Sequence, residues 1–228
     1  MKVAGSNFVL VGVASAKAQI SNVGDAQAFA SEPDRSLDDP IQKTLNRYGF
    51  NNSDFSSEWY VVPMGRGTTL EDPTLDLCSS QFDSELLRKE RRQVLANKTG
   101  NPYLFLSTES VRYKTVVAAE QALSEVKLSY ANCVKNLGGT ERDGAFTKYE
   151  FLDLPNLPAN LVPASHRVIV YAKIGEAESS RYLFGAYQYQ RDMFTGLYVV
   201  RPGDKPFTQD EIVRWLDVAG VMAERLKS

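Results

Sequence analysis

The sequence predicts an α+β fold: an antiparallel β-sheet with helices packed on one face. Three observations predict it. Short β-branched and aromatic runs separated by turn residues fill much of the chain. Two longer stretches carry apolar residues at steps of three and four, the spacing of a helix face. The connections are too short for most parallel crossovers, which leaves antiparallel pairing with helices laid against the sheet.

Taken in order, Asp39 precedes Pro40, and Ile41, Leu45 and Tyr48 recur at helical spacing before Gly49, which predicts a helix of about two turns. Trp59-Tyr60-Val61-Val62 reads as a short strand ending at Pro63, and residues 65–69 as a loop. Residues 82–92 read as helical, and 92–97 as a strand that pairs across Lys98 to Pro102 with residues 103–114 in a hairpin. The clearest helix spans 116–137, with Ala119, Leu123, Val126, Tyr130, Val134 and Leu137 on one stripe and Gly138-Gly139 as its stop. Strands follow at 146–154, 167–174, 182–190 and 197–201, the last three forming a meander. Thr208 and Glu211 make a capping box for a final helix whose apolar stripe is Ile212, Trp215, Leu216, Ala219, Met222 and Leu226.

Length sets the organisation. The 228 residues suit one domain with a sizeable core, and 43% apolar with 24% charged residues excludes a wholly disordered, collagen-like or multi-span membrane chain. The folded part is expected over 37–228. Residues 1–36 read as an export-signal or linker segment: Phe8 to Ala14 is apolar, Ala16-Lys17-Ala18 fits a signal-peptidase site, and 19–38 are small and polar. A short β-strand, an anchor remnant or an inert tail are the alternatives for the first stretch. No run reaches the roughly 20 apolar residues a spanning helix needs, so a membrane would be met peripherally, through an N-terminal anchor.

The chemistry is narrow. A net charge of −2 supplies no field that gathers polyanions, so no nucleic-acid partner is expected. Cys78 and Cys133 belong to no C-x-x-C pair, which excludes a zinc knuckle; they form either a disulfide, favoured if the chain is exported, or two buried thiols. A single histidine, His166, rules out metal sites built on histidine pairs, and no G-x-S-x-G elbow accompanies it, so a hydrolase using His166 is the least favoured reading. No catalytic residue, metal site or cofactor is expected.

Two clusters remain as binding candidates. Arg88, Arg91 and Arg92 lie in the one basic run, either a solvated face or a site for an anionic partner. Tyr182, Tyr187, Tyr189 and Tyr198 put rings on both faces of the meander. If the helices cover one face, rings on the other form a ligand or partner surface; the alternative is that all of them are core.

The run Leu75-Asp76-Leu77-Cys78, followed by Glu85, Arg88, Arg91-Arg92-Gln93-Val94, Tyr113, Ala118-Ala119, Ala122-Leu123 and Cys133, resembles the PknH-like extracellular sensor-domain family of actinobacterial secreted proteins and lipoproteins. The resemblance covers roughly 37–226. It implies an extracytoplasmic, non-catalytic domain with a cleft that recognises a small molecule or cell-envelope component. Family members often hold two disulfides, whereas this chain has cysteines for one. An envelope-associated protein–protein interaction module is the alternative expectation.

Overall fold

A computed structural model describes residues 45–64, 67–140, 144–176 and 180–228. The export-signal and linker readings, the domain start near Leu37 and most of the first expected helix lie outside these residues. Strands β1 (Trp59–Pro63), β2 (Arg88–Lys98), β3 (Phe105–Tyr113), β4 (Gly138–Thr140), β5 (Phe146–Phe151), β6 (Arg167–Ile174), β7 (Arg181–Gln190) and β8 (Met193–Pro202) join helices α1 (Val116–Asn136) and α2 (Gln209–Lys227). The strands run in the order β1-β2-β3-β8-β7-β6-β5-β4, each neighbouring pair antiparallel. The α+β class and the antiparallel sheet are as the sequence predicts.

The helices lie differently from the expectation. They cover opposite faces of the sheet rather than one. Along β7, Leu183, Tyr187 and Tyr189 pack in the cluster with Ala119, Leu123 and Val126 of α1. Tyr182, Phe184 and Ala186 pack with Trp215, Leu216 and Ala219 of α2. The physical reason is the strand itself: β7 is apolar at both parities, and a strand without a polar face needs cover on each side. Tyr182, Tyr187, Tyr189 and Tyr198 are therefore all buried, and no uncovered aromatic face remains on the meander.

Local chemistry explains the ends of the elements. Thr115 caps α1 by accepting from the Ala118 N–H, and Leu137 closes it in the left-handed conformation. The buried stripe of α1 runs through the small residues Ala118, Ala122, Ser129 and Cys133, while Val134 and Leu137, expected on it, are exposed. Small side chains let the helix approach the sheet closely. The capping box of α2 forms as predicted, with Thr208 and Glu211 exchanging bonds. At its other end the Arg225 guanidinium holds Asp54 and donates to the Gly49 carbonyl at 2.7 Å, tying the last helix to the first described residues.

Two other expectations change. The helix predicted over 82–92 is a short 3-10 turn, Asp83–Leu87, after which the chain is already strand at Arg88. Its charged residues stay in the sheet because partners await their side chains, the Asp72 carbonyl for Arg88 and the Glu109 carboxylate for Arg91. Strand β8 starts at Met193, four residues before the expected position, because Arg191 turns the β7–β8 hairpin at φ +55° without a glycine to announce it.

Candidate functional site

A strap formed by residues 69–80 crosses the α1 face of the sheet. It has no strand or helix of its own, so its backbone polar groups need partners from outside. The sheet supplies them. Arg88 donates to the Asp72 carbonyl at 2.8 Å, to Thr74 Oγ1 at 2.6 Å and to the Leu70 carbonyl. Arg91 donates to the Thr69 carbonyl at 3.0 Å. The Tyr198 hydroxyl reaches the Thr74 carbonyl at 2.7 Å, and the Tyr187 hydroxyl reaches the Asp76 carbonyl at 2.6 Å. Burial holds both phenols well above their usual range, so each stays a donor. Glu85 accepts the backbone N–H groups of Thr74 and Leu75 at 3.0 and 2.8 Å while pairing with Arg88 at 2.9 Å.

At the far end the strap is covalently fixed. Cys78 and Cys133 form a disulfide, with Cα atoms 5.9 Å apart, so the strap is joined to α1. Ser129 of α1 donates to the Leu77 carbonyl at 2.8 Å one turn away. Gly139 of β4 lies against this junction: a Cβ there would fall 1.9 Å from the Cys78 carbonyl oxygen. Only glycine leaves room for the two backbones.

Behind the strap sits an ion pair. Arg91 and Glu109 meet at 2.8 Å with side chains 2% and 3% exposed. Burial pushes the Glu109 carboxyl above the usual carboxylate range, against the pull of Arg91. Burial also lifts Glu85, opposed by Arg88, and lowers Arg88. For Arg91 burial works to discharge the guanidinium, but the charge and hydrogen bond of Glu109 outweigh it. Gln93 accepts a further bond from Arg91 at 3.2 Å.

Between the strap and the sheet lies a cleft of about 650 Å³ including its open mouth, of which about 50 Å³ is open to the centre of a water molecule. Its apolar lining is Pro73, Phe105, Ile174, Leu183 and Val200. Its polar lining is Thr74 and Asp76 from the strap, the Arg91–Glu109 pair with Gln93, and Tyr149, Tyr198 and Arg181. A narrow apolar slot with a few convergent polar groups is the usual form of a small-molecule site.

The residues singled out from sequence are distributed unevenly around this cleft. Arg91 and Tyr198 line it. Arg88 and Tyr187 bind the strap that forms its wall. Arg92 is 1% exposed and lies at the parity of Val94 and Ala96, toward α2. Tyr182 packs beside Tyr171 on that same face, and Tyr189 lies against His166, with ring centroids 6.1 and 4.6 Å apart respectively. His166 closes a 3-10 turn, Ala164–His166, and is not part of the cleft lining. Among the described residues no group of three or more histidines, cysteines or carboxylates is placed to hold a metal ion. None of the described helices is long and apolar enough to cross a membrane.

Sequence reasoning passes over Glu109 and Arg181, and reads Asp76 as turn chemistry and as part of the run that carries the family resemblance rather than as a cleft residue. Glu109 carried a signal: it shares strand parity with Phe105, Val111 and Tyr113, so a carboxylate on that core-facing side must find a partner, and Arg91 is its diagonal neighbour across the hairpin, since Gln93 faces Glu109 and Arg91 faces Val111. Arg181 shares the parity of Leu183 and Tyr187, which places it on the same face.

No family model matches the sequence, and no curated protein matches it. Among solved structures, the crystal structure of the extracellular domain of PknH from Mycobacterium tuberculosis is similar at a TM-score of 0.47 and 13% identity, over 81% of this chain and 95% of that one.

Proposed function

We propose that this chain is an extracytoplasmic sensor or ligand-binding domain that acts by binding rather than by catalysis, taking a small molecule or a cell-envelope component in the cleft under the strap. The observation that carries the reading is the strap itself: one wall of an apolar slot held by a disulfide, two arginines and two tyrosines. A preorganised wall lowers the ordering cost of binding. A structural disulfide also suits an oxidising compartment outside the cytoplasm. The acids and bases near the slot support binding over turnover, because Glu85, Arg88, Arg91 and Glu109 are spent on the strap and on one another.

The test is a thermal-shift screen of metabolites and envelope extracts against the wild type and Leu183→Trp, which fills the slot. A ligand at 100 times its Kd stabilises by about 2.7 kcal/mol. A compound that stabilises the wild type and spares the variant supports the reading; compounds that stabilise both equally place binding elsewhere and overturn it.

A second reading, an envelope-associated interaction module, draws on exposed apolar side chains: Leu86 is 79% exposed, Val117 69% and Leu128 62%. A stable protein partner lost on Val117→Glu and Leu128→Glu would favour it over the first.

A further inference from the structure

We infer that the ligand of this cleft is an amphipathic monoanion, one carboxylate on a slender apolar chain, with Arg181 as its anchor; the inference rests on the binding role proposed above. Arg181 opens β7 on the cleft face, half-buried, and its Nε–H is buried with no acceptor among the described residues. A buried guanidinium N–H left without an acceptor costs free energy that a bound oxygen recovers. Other arginines are already committed: Arg91 to Glu109, Arg201 to Glu211 and Arg225 to Asp54. Guanidinium favours carboxylate because its fork matches two oxygens at once.

The rest of the cleft narrows the choice. Asp76 lines it too, and the other cation of the lining, Arg91, is already paired with Glu109, so a second negative charge on the ligand would meet Asp76 with no further uncommitted cation among the lining residues. Beyond Arg181 the surface is Phe105, Leu183 and Val200, which takes an apolar chain. With only about 50 Å³ open to the centre of a water molecule, the slot suits an alkyl chain rather than a fused ring system.

The experiment is isothermal titration with octanoate and with 1-octanol, which share a chain and differ in the charged end. Octanoate is expected to bind the wild type at least tenfold tighter than octanol. Arg181→Gln should weaken octanoate at least tenfold and leave octanol within threefold, while Arg181→Lys, which keeps the charge and guards against misfolding of the first variant, should retain a preference for octanoate. Equal binding of the two probes, an unchanged octanoate affinity in folded Arg181→Gln, or no octanoate binding overturns the monoanion. None of these touches the cleft reading, which falls separately if octanoate binds Leu183→Trp as tightly as the wild type.

Discussion

Replacing Arg91 by methionine removes the positive half of a pair whose side chains are 2% and 3% exposed, and with it the bonds to the Thr69 carbonyl and Gln93. Methionine fills a similar volume, so the cost is electrostatic more than steric. Breaking a buried pair on one side typically costs about 3–5 kcal/mol, because the remaining charge is stranded. In a domain of this size each kcal/mol lowers Tm by about 2–4 °C, so a fall of roughly 6–20 °C is expected. The sign with pH follows from Glu109. Its folded carboxyl titrates above the unfolded one, so the folded chain binds the extra proton and stability is lost as pH rises through that window. Without Arg91 that window widens, and Arg91→Met should be less destabilising at pH 4 than at pH 7. Adding Glu109→Gln should recover at least about 1 kcal/mol at pH 7, since an uncharged amide suits an apolar surrounding better than a lone carboxylate. Urea unfolding of the two variants at both pH values measures this. A single variant within about 1 kcal/mol of wild type at pH 7, or no recovery on the second change, would refute the reasoning.

Three further outcomes are expected. Cys78→Ser with Cys133→Ser opens a closed loop of separation 55, and the chain-entropy estimate for that length is about 4 kcal/mol, read as a drop of roughly 8–16 °C in calorimetry. Gly139→Ala drives a methyl group against the Cys78 carbonyl and should cost about 1–3 kcal/mol in urea unfolding; a neutral result would mean that the strap junction yields. Thr208→Ala removes the cap of α2 and should cost about 1 kcal/mol, with fraying at the helix start visible in amide exchange.

The parts of the fold that were legible in the sequence rest on local rules. The stripe from Ile212 to Leu226 and the capping box ahead of it are written within one helix, and α2 forms where they indicate. The hairpin of β2 and β3 and the meander of β6 to β8 follow from alternating runs and short turns. What misled was composition read without partners. Arg88 to Arg92 looks like a solvated or helical run, yet Arg88, Arg91 and Arg92 are buried in a strand, because carbonyls and a carboxylate from distant segments meet two of them there. The site was less legible than the fold. Arg91 and Tyr198 stand out in the sequence as binding candidates and do line the cleft, but Arg181 shows nothing locally that separates it from any other strand-edge arginine.

By itself the sequence determined the α+β class, the order of most strands and helices, and the spacing of two cysteines able to meet, because each depends on periodicity or on a count of residues. Only the tertiary structure decided that α1 and α2 take opposite faces, that the strap 69–80 lies across one of them, and that Arg181 opens into the space between. Those outcomes depend on which distant groups satisfy one another's hydrogen bonds and charges when both sides of a strand must leave water, and that pairing is a property of the packed chain rather than of any one segment.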